Sequence, residues 1–193
     1  MSTDHGPPAS TVEIREADAT SAPDIAAIHV RSWVATYGRT PTERGSEGDI
    51  AHRAQIWERR LGDREGKARV ALGVSDDVVV GFVYYGLSPD LDHDPDTTGQ
   101  VHSVHVDPGS TGQGIGRRLL QHAVDSFRDA GYELATLWVV AGNHRSRRFY
   151  ERLGWLPDGS RRWEDLAVEG EEGERVEVVR YALDIGPKVR ETR

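Results

Sequence analysis

The chain has 193 residues, of which 37% are hydrophobic, and these numbers suit one globular domain with a core of its own. Its net charge of −8 argues against binding to nucleic acid or to an anionic membrane surface. The sequence has no cysteine, so disulfides and thiolate metal sites are excluded.

The two ends of the chain differ in composition from the segment between them. Residues 1–10 are polar and rich in proline, and we expect them to form a disordered tail. Residues 11–186 are expected to form the single domain, followed by a short tail over residues 187–193. We expect a cytoplasmic protein, because the N-terminus has no basic or apolar part of a secretory signal and no apolar run approaches the ~20 residues of a membrane span.

The first half of the chain alternates between the two-residue period of strands and the 3.6-residue period of helices. The first helix is expected to end at Gly38, and the second to begin at the capping residue Asp49. Two strands rich in Val, Phe and Tyr then flank residues 75–77, which is typical of a tight hairpin. The predicted elements are a strand over 11–16, helices over 24–37 and 49–61, and strands over 68–74 and 78–86.

The second half follows an Asp-rich loop over residues 87–99. It contains a helix with a continuous apolar stripe and, after it, an almost wholly apolar strand that we expect to be buried on both faces. The predicted elements are a strand over 101–106, a helix over 113–130, a strand over 134–140, a helix over 143–153, and hairpin strands over 163–168 and 176–183. The resulting order β-α-α-β-β-β-α-β-α-β-β indicates a mixed α/β fold.

Three glycines stand at alternate positions between a strand and a helix of the second half. Gly112, Gly114 and Gly116 remove side chains where the helix begins, and the first N–H groups of a helix lie unpaired at the positive end of its dipole. A phosphate can approach such donors closely, and Arg117 and Arg118 add positive charge. The spacing is neither that of a P-loop nor that of a dinucleotide fingerprint. We therefore predict a different phosphate-bearing ligand.

Two sequence blocks resemble the GNAT superfamily of N-acetyltransferases. The family places R/Q-x-x-G-x-G/A after its fourth strand; Gly114 and Gly116 match this pattern, and Thr111 stands where Arg or Gln is usual. Residues 143–155 are similar to the family's N-x-x-A-x-x-F-Y-x-x-x-G-F, with Ser and Trp in place of Ala and the last Phe. The resemblance implies an α/β fold of the acyl-CoA N-acyltransferase type, with a central mixed sheet of about seven strands and about four helices.

The reaction that the resemblance implies is transfer of an acetyl group from acetyl-CoA to a primary amine by direct attack in a ternary complex, without a metal. In the family the pantetheine arm pairs with the fourth strand, and backbone amides of the glycine turn hold the pyrophosphate. Transferred position by position, the expected acetyl-CoA-binding residues are Val104, His105, Val106, Thr111, Gly112, Gln113, Gly114, Ile115, Gly116, Arg117, Asn143 and Arg147. The acceptor is a small-molecule amine, a protein N-terminus or a lysine.

Tyr150 is the expected general acid, because a phenol of reference pKa ~10 can protonate a thiolate whose conjugate acid lies near ~8.5. Many family members carry a Glu base at the start of the fourth strand, where this chain has Gln100. His102 and His105 are the candidate substitutes, and a regular strand would place them on opposite faces. Each of them can equally be a packed or a surface histidine.

The acceptor pocket is expected between the first helices and the Asp-rich loop. Trp33 and Tyr37 are one helical turn apart, so they face together as candidate substrate-binding residues, although Trp33 also suits the core. The loop has four alternating carboxylates that are either simply solvated or form an acidic lip for a cationic amine. They are Asp90, Asp92, Asp94 and Asp96.

Two other functions fit the same residues. Gln100 cannot act as a base, so a non-catalytic acyl-CoA-binding or sensor module with the same fold is one alternative. A nucleotide-phosphate enzyme is the other, and it requires that ATP or GTP, rather than coenzyme A, stabilises the protein. The expected partners are acetyl-CoA and an amine, with no nucleic acid and no membrane, and a homodimer is left open.

Overall fold

The computed structural model describes residues 12–38, 46–63, 68–166 and 174–187. The predicted tail over 1–10 lies outside the described residues, and so does the predicted tail over 187–193 apart from residue 187. In chain order the elements are β1 (Glu13–Glu16), α1 (Ala22–Tyr37), α2 (Ser46–Gly62), β2 (Arg69–Ser75), β3 (Val78–Leu87), β4 (Thr98–Val106), α3 (Ile115–Asp129), β5 (Leu134–Val140), α4 (His144–Arg152), β6 (Leu156–Leu166) and β7 (Glu174–Asp184). Among the described helices, none is long and apolar enough to cross a membrane.

The seven strands form one sheet in the order β1-β2-β3-β4-β5-β7-β6. β4 and β5 run parallel, and the other neighbouring strands run antiparallel. One face of the sheet is covered by α1 and α2, where Ile28 and Trp57 pack against Phe82. The other face is covered by α3, which buries Leu119 and Phe127, and by the apolar side of α4. The predicted mixed α/β fold is confirmed.

The bounds of several elements differ from the prediction. α2 begins at Ser46, so Asp49 lies inside the helix and is not its capping residue. At the starts of two strands, packing outweighs residue preference. β4 begins at Thr98, earlier than predicted. Glycine is common in loops, which is why the strand was not predicted to include Gly99. A Cβ at this position would lie 2.5 Å from the Phe127 ring, so the glycine allows α3 to approach the strand. β6 also begins earlier, and its second residue is Pro157. As an edge strand, β6 can include a proline, which has no N–H to pair.

β4 and β5 pair over only part of their length. Thr98–Val101 lies beside Leu134–Leu137, and beyond this stretch the described residues show no pairing between the two strands. The second half of β4 therefore has a free edge toward β5. This opening in the middle of the sheet positions the site described next.

Candidate active site

One cavity of about 590 Å³ lies at the opening of the sheet, between α1, β4, the glycine turn and α4. Its lining residues are Ser32, Ala35, Thr36, Val104, His105, Val106, Pro108, Ser110, Thr111, Gly112, Gly114, Ile115, Gly116, Arg117, Asn143, Arg145, Ser146, Phe149, Tyr150 and Arg152. The cavity thus brings together ten of the twelve residues predicted to bind acetyl-CoA, together with Tyr150. Gln113 and Arg147 are the two predicted residues that do not line it.

The free edge of β4 offers backbone hydrogen bonds to the cavity. Asp107 donates its N–H to the Val80 carbonyl of β3 at 2.9 Å. Because donors and acceptors alternate along an antiparallel pair, the N–H and C=O groups of Val104 and Val106 point away from β3 and toward the gap. An extended ligand can pair with these groups as an added strand would. This geometry is the one that the resemblance implies for the pantetheine arm.

The glycine turn has backbone conformations that favour glycine. Gly112 and Gly114 have φ angles of 83° and 78°, in the left-handed region. No side chain caps the N-terminus of α3 at Ile115, so its first N–H groups are available to a ligand, and such an end suits a phosphate. Gly116 is constrained by contact, because a Cβ there would lie 3.3 Å from the Phe149 ring.

The charged residues that line the described cavity are all arginines. Arg117 belongs to the first turn of α3, and Arg145 and Arg152 lie on α4. This local positive charge suits a ligand with phosphate groups, although the net charge of the whole chain is −8. Arg118, which also follows the glycines, instead donates to the Val12 carbonyl at 2.6 Å.

The prediction for Arg147 is corrected by its contacts. Its guanidinium donates to the Tyr181 hydroxyl at 3.1 Å and to the Ala141 carbonyl at 3.0 Å. The Tyr181 hydroxyl in turn donates to Glu151 at 2.7 Å. Arg147 therefore joins α4 to β7 behind the cavity rather than facing a ligand.

α4 presents Asn143 and Tyr150 to the cavity. The Asn143 side chain caps the helix by accepting the Ser146 N–H at 3.1 Å. It also lies within hydrogen-bonding range of the Tyr37 phenol. Burial raises the pKa of Tyr150, and the nearby Tyr37 adds to this effect. Tyr150 consequently keeps its proton at neutral pH, as a general acid must.

The two histidines of β4 lie on the same face, so the prediction of opposite faces is wrong. The pairing of β3 with β4 shifts by one residue beside Tyr84, and the extra residue on β4 is His102. The His102 ring centroid lies 4.8 Å from that of Tyr84, and the His105 centroid lies 5.1 Å from that of Phe82, two residues earlier on β3. The bulge therefore turns both imidazoles toward α1 and α2.

Both imidazoles are uncharged at neutral pH. Burial, with a smaller effect of the Arg60 charge, lowers the pKa of His102 to about 4. Burial and the Arg53 charge lower the pKa of His105 to about 4. The adjacent His29 is also buried, which lowers its pKa well below the usual value. Acid is therefore expected to destabilise the fold in this region.

We expect the free energy of unfolding to fall as the pH is lowered from about 6.5 to 4. In this window the unfolded chain protonates His102 and His105 whereas the folded chain does not, so stability decreases by on the order of 3 kcal/mol for each ring. Urea denaturation at a series of pH values measures the slope of the free energy of unfolding against pH. An unchanged slope in the double variant His102→Asn, His105→Asn would contradict this assignment.

Trp33 and Tyr37 face together on α1, with ring centroids 4.8 Å apart. Neither is among the residues that line the cavity. Trp33 lies 6.3 Å from the His29 ring, and Tyr37 stands beside Asn143. Both residues are thus at the border of the site, and their contact with a substrate stays a prediction.

Two of the four carboxylates of the Asp-rich loop, Asp90 and Asp92, are held by arginines and are not free to form an acidic lip. Asp90 is buried and accepts hydrogen bonds from Arg162 at 2.7 Å, from Arg180 at 3.1 Å and from the Trp138 indole at 2.9 Å. Asp92 also pairs with Arg180. These contacts fasten the loop to β5, β6 and β7. Within the described ranges, no group of three or more His, Asp or Glu side chains could hold a metal ion.

Nine residues that line the cavity were absent from the sequence-based prediction, and Arg152 and Ser32 are two of them. Arg152 follows Phe149 by three residues and Arg145 by seven, so helical spacing on α4 could have identified it. Ser32 reaches the cavity because α1 packs across β4, and no pattern around this serine indicates that contact.

Comparison with known proteins agrees with this geometry. The Acetyltransferase (GNAT) family matches residues 24–155. Mycothiol acetyltransferase of Beutenbergia cavernae is 41% identical over 60 residues, which are 31% of this chain and only 20% of that relative. L-methionine sulfoximine/L-methionine sulfone acetyltransferase of Salmonella typhimurium is 32% identical over 117 residues, covering 55% of this chain and 67% of that relative.

Solved structures share the fold at low identity. An N-acetyltransferase from Staphylococcus aureus has a TM-score of 0.66 at 20% identity, covering 91% of this chain and 99% of its own. An acetyltransferase from Salmonella typhimurium, solved with its cofactor acetyl-CoA, has a TM-score of 0.66 at 22% identity, covering 95% and 99%. Because the family match spans more than half of the sequence, this chain belongs to the GNAT family of acetyltransferases and is an acetyl-CoA-dependent N-acetyltransferase.

Proposed function

We propose that the acceptor is the primary amine of a small molecule that also carries a carboxylate. The observation that supports this most directly is Arg60, at the end of α2 on the face that holds both β4 histidines. Its guanidinium lies 5.1 Å from the Trp57 ring centroid and 5.5 Å from that of Tyr84, and no described carboxylate forms an ion pair with it. An exposed cation held over two aromatic rings suits a small anionic group.

Two relatives support the same acceptor class by their names. One is the Salmonella typhimurium enzyme for L-methionine sulfoximine and L-methionine sulfone. The other is the L-amino acid N-acyltransferase of Escherichia coli, which is 29% identical over 118 residues, covering 55% of this chain and 67% of that relative. Both named acceptor classes contain amino acids, which combine an amine with a carboxylate.

The acetyl donor is proposed to bind in the 590 Å³ cavity. Acetyl-CoA supplies an activated thioester when bound. The N–H groups at the start of α3, from Ile115 onward, with Arg117 and Arg145, would hold its phosphates, and the free edge of β4 at Val104 and Val106 would hold its extended arm. These groups fit because the glycines leave the α3 end open and unpaired.

Tyr150 is proposed to donate its proton to the departing thiolate. The phenol borders the cavity, and burial raises its pKa, so it is protonated before the reaction. The same burial would raise the pKa of a thiol bound there, so the pKa values of the phenol that gives the proton and of the thiol that is formed stay close to each other. On the opposite side, an imidazole of β4 takes a proton from the amine, whose N–H becomes acidic as the nitrogen bonds to the acyl carbon.

Thiol release from acetyl-CoA, measured across a panel of amines, tests this proposal. We expect turnover with free amino acids and a fall of at least tenfold in kcat/KM with their decarboxylated counterparts. Arg60→Gln should raise the acceptor KM about tenfold or more, whereas Arg59→Gln, the neighbouring arginine in the same helical turn, serves as the matched control. Equal rates for both kinds of amine would contradict the acceptor class.

Two further outcomes separate the alternative functions. Acetyl-CoA binding without thiol release from any amine would indicate a non-catalytic acyl-CoA-binding module. A rise in melting temperature with ATP or GTP, but not with coenzyme A, would indicate a nucleotide-phosphate enzyme. A cytoplasmic location is part of this proposal. Whether the chain forms a homodimer is a separate question, which gel filtration would test.

A further inference from the structure

The two histidines of β4 share a face of the sheet, but their hydrogen-bond partners differ. A neutral imidazole has one nitrogen that donates and one that accepts, and the partner of Nδ1 decides which role is left to Nε2. His105 has a serine hydroxyl at Nδ1, and His102 has a glutamine amide there. The chemistry that each ring offers to a substrate can therefore be derived from these two contacts.

His105 is held as the tautomer with a proton on Nδ1. The Ser32 hydroxyl lies 2.7 Å from His105 Nδ1 and 3.0 Å from the His29 carbonyl oxygen. A carbonyl only accepts, so the single hydroxyl proton of Ser32 must point to His29; otherwise two acceptors would face each other at 3.0 Å. His105 Nδ1 therefore donates to Ser32. Its Nε2 keeps a lone pair, and no described residue donates to it.

His102 is held as the opposite tautomer. The Gln100 amide nitrogen lies 3.1 Å from His102 Nδ1, and the Gln100 carbonyl oxygen is buried without a partner among the described residues. Exchanging the two amide atoms would leave both N–H groups unpaired, in place of one N–H and the carbonyl oxygen, and a buried unpaired N–H is rarer than a buried unpaired C=O. The amide therefore donates to Nδ1. His102 is left with its proton on Nε2.

We propose that His105 takes the proton from the amine substrate and that His102 donates a hydrogen bond to the same substrate. Ser32 and Gln100 are the positioning residues that fix these two roles. This inference rests on the proposed function, because it names which imidazole takes the amine proton. It also explains how the chain works with Gln100 where a glutamate base is usual. A carboxylate at this position would accept from His102 Nδ1 and reverse its tautomer.

The proton transfers balance over one turnover. The amine nitrogen bonds to the acyl carbon and gives its proton to His105 Nε2, the carbon–sulfur bond breaks, and the sulfur takes the Tyr150 proton. His105 then returns its proton to the Tyr150 phenolate through solvent. The products are the amide and the free thiol, and both side chains regain their initial states.

The surroundings of each ring keep it neutral before the reaction. His105 packs against His29, with ring centroids 4.5 Å apart, and faces the charge of Arg53 on α2. His102 faces Arg60 on α2 and Asp90 of the loop before β4. Burial has the largest effect on the pKa of both rings. The lone pair of His105 Nε2 is therefore available throughout the neutral range.

Nitrogen-15 correlation spectra of the imidazoles test the tautomers directly, with assignments from His102→Asn and His105→Asn. We expect a protonated Nδ1 in His105 and a protonated Nε2 in His102 at pH 7. In Gln100→Glu we expect His102 to change tautomer while His105 does not. The same tautomer in both wild-type rings would overturn the inference.

Turnover of Ser32 variants tests the positioning role. Ser32→Ala should lower kcat about 10- to 100-fold and Ser32→Thr, which keeps the hydroxyl, should restore most of it. A mixed His105 tautomer in Ser32→Ala together with unchanged kcat would overturn the role assigned to Ser32. Failure of the proposed function would look different, because the wild-type spectra would show the two tautomers while no amine gave thiol release.

Discussion

Replacing Arg180 with alanine is expected to lower the free energy of unfolding by about 3–5 kcal/mol. The Arg180 side chain is 4% exposed and forms ion pairs with Asp90 at 3.1 Å, Asp92 at 2.6 Å and Asp158 at 2.5 Å. Asp90 is itself 5% exposed. The substitution would leave this buried carboxylate with Arg162 as its remaining cationic partner, and an undercompensated buried charge is costly.

Urea denaturation of wild type and Arg180→Ala at pH 7 measures this loss. Arg161→Ala is the matched control, because Arg161 pairs with Glu177 at 3.1 Å while the two side chains are 64% and 34% exposed. An exposed pair of this kind contributes about 1 kcal/mol or less. If both variants lose the same small amount, the buried network does not stabilise the fold as proposed.

The Arg180 network also connects stability to the acceptor side of the site. Asp90 accepts from the Trp138 indole, and the Arg162 guanidinium lies 3.9 Å from the centroid of the Trp138 ring. Asp90 also acts on His102, since its charge opposes the lowering of that pKa. We therefore expect the folded fraction of the Arg180→Ala variant to show a raised KM for the amine acceptor.

The sheet and the glycine turn could be predicted because their signals are local in the sequence. The alternating and apolar patterns of β2, β3 and β5 need only a few consecutive residues, and packing in the structure matches them. The positive φ angles at Gly112 and Gly114 occur where three glycines stand within the six residues 111–116. Asn143 caps α4, and asparagine is among the residues preferred at the start of a helix.

The remaining features depend on contacts between distant residues. The bulge at His102 arises from one extra residue in β4 relative to β3, and this count is invisible in β4 alone. Arg147 was expected in the cavity because its neighbours resemble a ligand-binding block, but Tyr181, 34 positions later, binds it. The pairing of Asp90 with Arg180 spans 90 positions. Sequence patterns do not encode such pairings.

Replacing Tyr150 with phenylalanine is expected to lower kcat about 10²- to 10⁴-fold, the usual contribution of a positioned general acid. The phenylalanine keeps the ring that packs against Phe149 and Trp155, with centroids 5.3 Å and 6.5 Å away. The Tyr150 hydroxyl has no hydrogen-bond partner in the part of the chain that the structure describes, so its removal should change the melting temperature little. Acetyl-CoA binding should likewise be retained.

Steady-state rates at saturating acetyl-CoA and amine, with calorimetric binding of acetyl-CoA, separate the proton from the packing. Tyr132→Phe is the matched control, because Tyr132 follows α3, packs against Phe127 and does not line the cavity. It should retain wild-type kcat. If Tyr150→Phe also retains it while binding acetyl-CoA normally, the departing thiolate takes its proton from another source, such as solvent in the cavity, and Tyr150 serves only to pack α4 against the sheet.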